Sequence, residues 1–318
     1  MLTYVHLLNI KNIIYIFSLV IFVFSKSIPA TELDNDFNLA EISEANFVHT
    51  GEHVSIEDSQ HDDIANIGFI IGDKCVAVID TGGSIHIGQK LLQSIRSITN
   101  KPICYVINTH VHFDHILGNK VFESKETSFV GHHQLADAVE HNRAFFLEQF
   151  KNDLGLNPEE SSIIGPSILV SKSMQLDLGG RLLTLIPYAI SHSHNDLIII
   201  DDKTKTLWAG DLIFRQRIPS LTGSLRGWLN TMDTLQQLDV EKVVPGHGAT
   251  ATTLKLAIEQ QQSYLRRLLE DTRKAVAEGL FLNDAMETID KDNQSKLLLH
   301  EYQHASNVSK AFTELEWE

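Results

Sequence analysis

From residue 66 onward the apolar positions fall into short runs separated by turn residues, and the spacing inside each run identifies its element. Residues 66–71 and 75–79 are short apolar runs rich in isoleucine and valine, joined by Gly72-Asp73-Lys74, a sequence suited to a tight turn. Asp80-Thr81-Gly82-Gly83 closes the second run, and Ser84 can cap a helix whose apolar positions, Ile87, Leu91, Ile95 and Ile98, recur every three or four residues. Lys101-Pro102 stops that helix, and Ile103-Cys104-Tyr105-Val106-Ile107 reads as a buried strand. Strand, helix and strand at this spacing predict a right-handed parallel crossover. Further on, 127–130 reads as a short strand, 134–151 as an amphipathic helix and 153–180 as mixed and loop-like. A second set of strands covers 182–186, 197–201 and 206–209, followed by a helix over 228–238 and a short strand over 242–244. From 252 to the end the pattern is helical, broken near Gly279 and around 290–293. Residues 33–64 are polar and acidic, with weak strand character at 45–48. Each half runs strands then helix, with no fixed-period repeat, which predicts one α/β domain of two sheets packed between helices.

The first thirty residues stand apart. They hold two lysines, Lys11 and Lys26, and no acid, around an apolar run over 13–24. That run is too short for a comfortable membrane span and suits the core of a secretory signal, with small residues at Ser25, Ser27 and Ala30 for cleavage. The expected organisation is therefore a signal over 1–30, a catalytic domain over 31–250 and a helical extension over 251–318 packed on the same domain. Loss of Lys11 and Lys26 takes the net charge from −15 to −17. So acidic a surface repels nucleic acid and anionic lipid and excludes both as partners. Cys75 and Cys104, the two cysteines of the chain, both fall in predicted strands. A disulfide and a pair of buried thiols are equally compatible with that placement.

The chemistry concentrates in Thr109-His110-Val111-His112-Phe113-Asp114-His115, just past a buried strand. In an extended backbone positions 110 and 112 project to one face, and a turn after Phe113 brings Asp114 and His115 to a second, adjacent point. That pattern suits two metal ions side by side. One loop cannot complete two sites, so further ligands must come from elsewhere. The second half offers His192-Ser193-His194-Asn195-Asp196, Gly210-Asp211 and Pro245-Gly246-His247-Gly248, each at a strand end. Singly these are ordinary turn sequences; together, in this order, they point to a two-metal centre.

In these motifs the sequence resembles the metallo-β-lactamase superfamily of hydrolases over about residues 47–247. The resemblance implies a four-layer αβ/βα sandwich. It also implies that His110, His112 and His192 hold one metal, that Asp114, His115 and His247 hold the other, and that Asp211 bridges them. His192 is preferred to His194 because it stands four residues before Asp196. Asp80 matches an aspartate that the family places beneath the centre, where it orients a ligand. Imidazole and carboxylate ligands suit two zinc ions, and iron or manganese also fit. The implied reaction is hydrolysis by a hydroxide generated between the metals, with Asp114 orienting it and moving a proton. No Gly-x-Ser-x-Gly elbow competes for the role.

Departures narrow the subgroup. The common class of true β-lactamases has a cysteine where this chain has Asp211, with a lysine shortly after it; here Arg215 and Arg217 follow instead. The bridging aspartate resembles thiolester hydrolases of the glyoxalase type, whose glutathione-binding tail is not recognisable. Residues 75–83, 224–228, 243–248 and 307–316 are similar to exported proteins called quinoprotein relay system zinc metallohydrolases. That likeness implies a periplasmic or secreted protein associated with a periplasmic quinoprotein dehydrogenase, and implies no substrate; the expected reaction is hydrolysis of a small ester, thioester or amide. A metal-loaded accessory protein for a quinoprotein and a true β-lactamase are the alternatives. His133, His194 and Arg217 are candidates for lining the cleft. His300-Glu301-Tyr302-Gln303-His304 fits the His-Glu-x-x-His pattern of zinc proteases, but only 14 residues follow it, leaving little room for a protease cleft.

Overall fold

The computed structural model describes residues 37–318 except 156, 160, 161 and 295, so the expected leader over 1–30 lies outside the described residues. Seven strands form the first sheet: β1 (Leu39–Ser43), β2 (Asn46–His49), β3 (Ile67–Ile71), β4 (Val76–Ile79), β5 (Ile103–Ile107), β6 (Ser128–His132) and β7 (Ile168–Val170). They lie side by side in chain order, antiparallel as far as β4 and parallel from β4 to β7. The second sheet holds β8 (Met174–Asp177), β9 (Leu182–Pro187), β10 (Leu197–Asp201), β11 (Thr206–Trp208) and β12 (Lys242–Val244). Its strands also follow chain order, with only the β11–β12 pair parallel.

The strands read as continuous apolar runs because both of their faces are covered. Val76 and Val78 of β4 pack with Ile87, Leu91 and Ile95 of α1 (Ile85–Ile98), while Ala77 and Ile79 face Leu183, Leu185, Leu197 and Ile199 of the second sheet. On the far side, Ile198, Leu207 and Val243 pack against three helices, α4 (Leu225–Leu235), α5 (Leu254–Ala277) and α7 (His300–Leu315). The result is helix, sheet, sheet, helix, the expected four layers. The short α2 (Phe113–Ile116) rests on α3 (Leu135–Gln149) through Ile116, Leu135 and Val139. α6 (Leu282–Thr288) links α5 to α7.

Three strands escape the sequence pattern. β1 is a half-exposed, partly acidic edge strand, paired with β2 and setting Leu39 and Ile42 against the core. β7 and β8 are three and four residues long and lie in the stretch read as loop-like. α4 begins three residues earlier than expected, because Ser224 Oγ accepts the Gly227 N–H and sets the helix start there.

The two sheets are tied by a buried ion pair. The Arg181 guanidinium meets both oxygens of Asp201, at 3.0 and 2.6 Å, and reaches the first sheet by donating to the carbonyls of Ile71 at the end of β3 and Glu44 between β1 and β2. Breaking such a pair strands a charge in the interior. Within the first sheet Cys75 and Cys104 form a disulfide with a Cα–Cα distance of 5.8 Å. The β4–β5 register slips here, Val76 pairing with Ile103 but Ala77 with Tyr105, and the extra residue brings Cys104 to the inter-sheet core. Closing a loop with a sequence separation of 29 stabilises the fold by about 3–4 kcal/mol. The double substitution Cys75→Ser/Cys104→Ser is expected to lower the unfolding free energy by about that amount in urea titration. Two titratable thiols in the unreduced, unfolded chain would contradict the pairing.

Candidate metal centre

Every residue of the centre sits where a strand meets a loop at one end of the two sheets. β5 ends at Ile107, and the Asn108-Thr109 extension is held on one side by Asn108 N–H to Val130 O and on the other by Leu197 N–H to Thr109 O. This bridge between the sheets presents His110, which is 1% exposed. His112 keeps an extended backbone (φ −67°, ψ 151°) at the start of α2, and that single helical turn swings Asp114 and His115 to the neighbouring position. His192 comes from the loop before β10, Asp211 from a 3-10 turn after β11 and His247 from the loop after β12.

These side chains converge as two groups. In the first, His112 Nδ1 lies 3.0 Å from both His110 Nε2 and His192 Nε2, and Asp211 Oδ2 lies 3.6 and 3.4 Å from those same two nitrogens. In the second, Asp114 Oδ2 lies 3.5 Å from His115 Nε2 and 3.4 Å from His247 Nε2. Asp211 Oδ1 lies 3.2 and 3.3 Å from these two nitrogens. One carboxylate thus faces both groups, an oxygen to each.

The protons are on the wrong side for hydrogen bonding to explain this. His192 Nδ1 meets the Ser220 carbonyl at 2.7 Å and His247 Nδ1 meets the Ile64 carbonyl at 2.7 Å. A carbonyl only accepts, so each of these nitrogens is the protonated one and Nε2 turns a lone pair inward. His115 Nε2 and Asp211 Oδ1 are buried with no hydrogen-bond partner among the described residues. Ligands 2.0–2.1 Å from a tetrahedral ion stand roughly 3.3–3.4 Å apart, close to most of the nitrogen–oxygen spacings seen here. The donor set of imidazoles and carboxylates without thiolate therefore fits a pair of zinc-class ions.

The electrostatics agree. Burial pushes His192 down to about 3 and holds His110 well below the usual imidazole range, so both stay neutral and free to ligate. Burial works against a charge on His115 too, but Asp211, Asp114 and Asp80 outweigh it and hold its pKa well above the usual range. Burial likewise opposes ionisation of Asp211, and the charge held on His115 beside it overcomes that opposition, keeping the carboxyl well below its usual range. The pocket demands positive charge between its carboxylates.

Around the centre, buried polar groups fix the ligands. Asp80, with a left-handed backbone (φ 53°), accepts from Thr109 N–H at 2.8 Å, Thr109 Oγ1 at 2.7 Å and His115 Nδ1 at 2.7 Å. Gly246 is required by contact: a Cβ there would stand 1.9 Å from Asp211 Oδ1. Asn66 donates to the carbonyls of Pro245 and Gly248, bracketing His247. Asn307, fully buried on α7, brackets Ser220 in the same way, donating to Pro219 O at 2.7 Å and accepting from Leu221 N–H at 3.0 Å. No pattern in the sequence marks Ser220, Asn66 or Asn307 for these roles.

A cavity of about 210 Å³ opens onto the centre. His112, Asp114, Asp211 and His247 line it with Ile56, Ile64, Phe113 and Phe214, and Arg217, Thr222, Tyr302 and Gln303 complete the wall. Arg217 Nε and Nη1 are buried without a hydrogen-bond partner among the described residues. Of the other cleft candidates, His194 and His133 are exposed and neither lines this cavity. His194 lies two residues past the inward-facing His192, and His133 follows the end of β6 with its ring tilted 38° to that of His132. His300 and His304 lie on α7, outside both groups.

A profile of the Metallo-beta-lactamase superfamily matches residues 62–247. A linear primary-alkylsulfatase of Pseudomonas sp. (strain ATCC 19151) is 23% identical over 207 residues, covering 54% of this chain and 39% of the alkylsulfatase. A protein described as "Probable metallo-hydrolase YqjP" of Bacillus subtilis (strain 168) is 24% identical over 246 residues, covering 67% of this chain and 76% of its own. Among solved structures, the sec-alkylsulfatase Pisa1 from Pseudomonas sp. superposes with a TM-score of 0.68 at 15% identity, over 87% of this chain and 50% of that one. A metallo-beta-lactamase from Pontibacter korlensis gives 0.59 at 19% identity, over 72% of this chain and 99% of that one. The chain thus spans well under two thirds of the alkylsulfatases it matches.

Replacing Asp80 with Asn removes the carboxylate that fixes His115. The chain is expected to retain an ion at the His115 group 10–100-fold more weakly in dialysis against a graded chelator. Unchanged retention would mean that Asp80 only shapes its turn.

Proposed function

We propose a function that starts from family membership, which the profile match establishes: this chain belongs to the metallo-beta-lactamase superfamily. We read it as an exported hydrolase with two metal ions that cleaves a small ester, thioester or amide bearing an anionic group. The observation that carries this reading is a single buried carboxylate, Asp211, facing two histidine groups at the foot of a small cleft.

In this reading His110, His112 and His192 hold one ion, Asp114, His115 and His247 the other, and Asp211 lies between them. Zinc fits this set best, and iron or manganese would also fit. Bound there, two divalent ions would make hydroxide available at neutral pH and polarise the oxygen of the scissile group. Asp114, which both faces the second group and lines the cavity, is placed to orient the attacking water and to move its proton. Arg217 supplies a guanidinium in the same cavity whose Nε and Nη1 have no hydrogen-bond partner among the described residues, suited to a carboxylate or sulfate on the substrate. The alkylsulfatase relative, by its name, acts on an anionic ester, which supports that class. Apolar Ile56, Phe113 and Phe214 would take the uncharged part.

Export rests on the leader composition of residues 1–30 and is supported by the Cys75–Cys104 disulfide, a bond that persists in oxidising compartments. The link to a quinoprotein dehydrogenase rests on the likeness of residues 224–228 and 307–316. These two stretches are joined in space: Glu314 accepts from Ser224 Oγ and from the N–H groups of Leu225 and Arg226.

The test is a panel of carboxylate- and sulfate-bearing esters, thioesters, amides and lactams offered to the zinc-loaded protein. Turnover should fall at least about 100-fold in Asp114→Asn. Arg217→Met should raise KM about 10-fold or more for anionic substrates while sparing neutral ones. Silence across the panel, with tight binding to a quinoprotein dehydrogenase, would favour an accessory role and overturn the hydrolase reading.

A further inference from the structure

The two histidines of the His-Glu-x-x-His string do not line the cleft, yet they are not idle. α7 starts at His300, and His304 lies one turn further on the same face, so the two rings stack with centroids 4.3 Å apart and 17° between planes. Both imidazoles are 5% exposed. Asp290, from the segment before α7, brings a carboxylate whose Oδ2 lies 3.4 Å from His300 Nε2, with only 4% of its side chain exposed. Neither of those two atoms has a hydrogen-bond partner among the described residues. A buried acceptor and a buried ring nitrogen left unsatisfied each carry an uncompensated desolvation cost. A spacing of 3.4 Å is poor for a charge-assisted hydrogen bond and matches the edge of a tetrahedron around an ion with arms of about 2.0–2.1 Å. Asp211 keeps the same 3.4 Å from His192, and Asp114 the same 3.4 Å from His247.

His304 repeats another feature of the first centre. Its Nε2 meets the Ile289 carbonyl at 2.6 Å, so Nε2 carries the proton and Nδ1 the lone pair, as a backbone carbonyl orients His192 and His247. That Nδ1 stands 2.9 Å from the Tyr264 hydroxyl, which also accepts from Asn307 Nδ2 at 3.0 Å. Ligand atoms of Asp290, His300 and His304 all lie within 4.8 Å of one another.

We infer that Asp290, His300 and His304 form a third metal site, closed and structural, for one divalent ion of the zinc class. Two imidazoles and one carboxylate select such an ion over magnesium or calcium, which prefer oxygen alone. Binding would displace the hydrogen bond from Tyr264 to His304 Nδ1. Glu301, which a protease of this pattern would need as its base, is exposed to solvent. The site therefore clamps the start of α7 to the 289–290 segment. It does not rest on the hydrolase reading.

The experiment uses the full chain, loaded with excess zinc, desalted and assayed by elemental analysis. Wild type is expected to hold one ion per chain more than His300→Ala and Asp290→Asn, whatever the first two groups retain. A chelator should lower the thermal midpoint of a His110→Ala/His112→Ala/His115→Ala background, and adding His300→Ala should abolish that shift. Should His300→Ala fail to fold, the near-isosteric Asp290→Asn carries the comparison, with near-ultraviolet dichroism as its folding control. Equal ion counts in wild type and Asp290→Asn, or a chelator shift that survives the loss of His300, would overturn the third site and leave an ordinary buried ion pair.

Discussion

The structure depends on one buried carboxylate with too many lone pairs around it. Asp211 is 3% exposed and faces imidazole nitrogens on both sides, several of which carry their protons on the opposite edge of the ring. In a low-dielectric pocket such a crowd repels itself unless positive charge lies within it. The fold holds the crowd together regardless, and the effort it spends doing so is the clearest sign of what the site is for.

That effort is visible in the groups surrounding the ligands. Loops at the ends of two sheets would ordinarily be mobile. Here each ligand-bearing loop is stitched to something rigid: the His247 loop by Asn66, the Ser220 loop by Asn307, the His115 turn by Asp80 and the His110 segment by hydrogen bonds to both sheets. α7 is consequently part of the centre and not an appendage, since Asn307 sets the carbonyl that aims His192. The same helix contributes Tyr302 and Gln303 to the cleft wall.

The converging side chains were legible in the sequence as candidate ligands because metal chemistry would demand uncommon residue types at strand ends, and His110, His112, Asp114, His115, His192, Asp211 and His247 stand there in order. The fold was legible for a related reason: strands covered on both faces, such as Val76–Ile79, cannot hide among polar residues. What was illegible acts through groups that every residue carries or that many loops contain. The carbonyls of Ser220 and Ile64 leave no trace in a sequence, and Asn66 and Asn307 reach their loops from 179 and 88 positions away. β1, β7 and β8 are short edge strands that each set two apolar side chains against the core, Leu39 and Ile42, Ile168 and Val170, and Met174 and Leu176, too few to show a period. His133 and His194 looked suitable by type and nearness, but neighbouring positions on a turn point in different directions, and only His192 of the second pair turns inward.

The central claim is that Asp211 lies between two ions. Anomalous diffraction from crystals of the zinc-loaded protein, measured on both sides of the zinc absorption edge, tests it most directly. The account predicts two peaks flanking the Asp211 carboxylate, about 3.5–4 Å apart, one against His192 and the other against His247. A map with no peak on either side of Asp211 would contradict it.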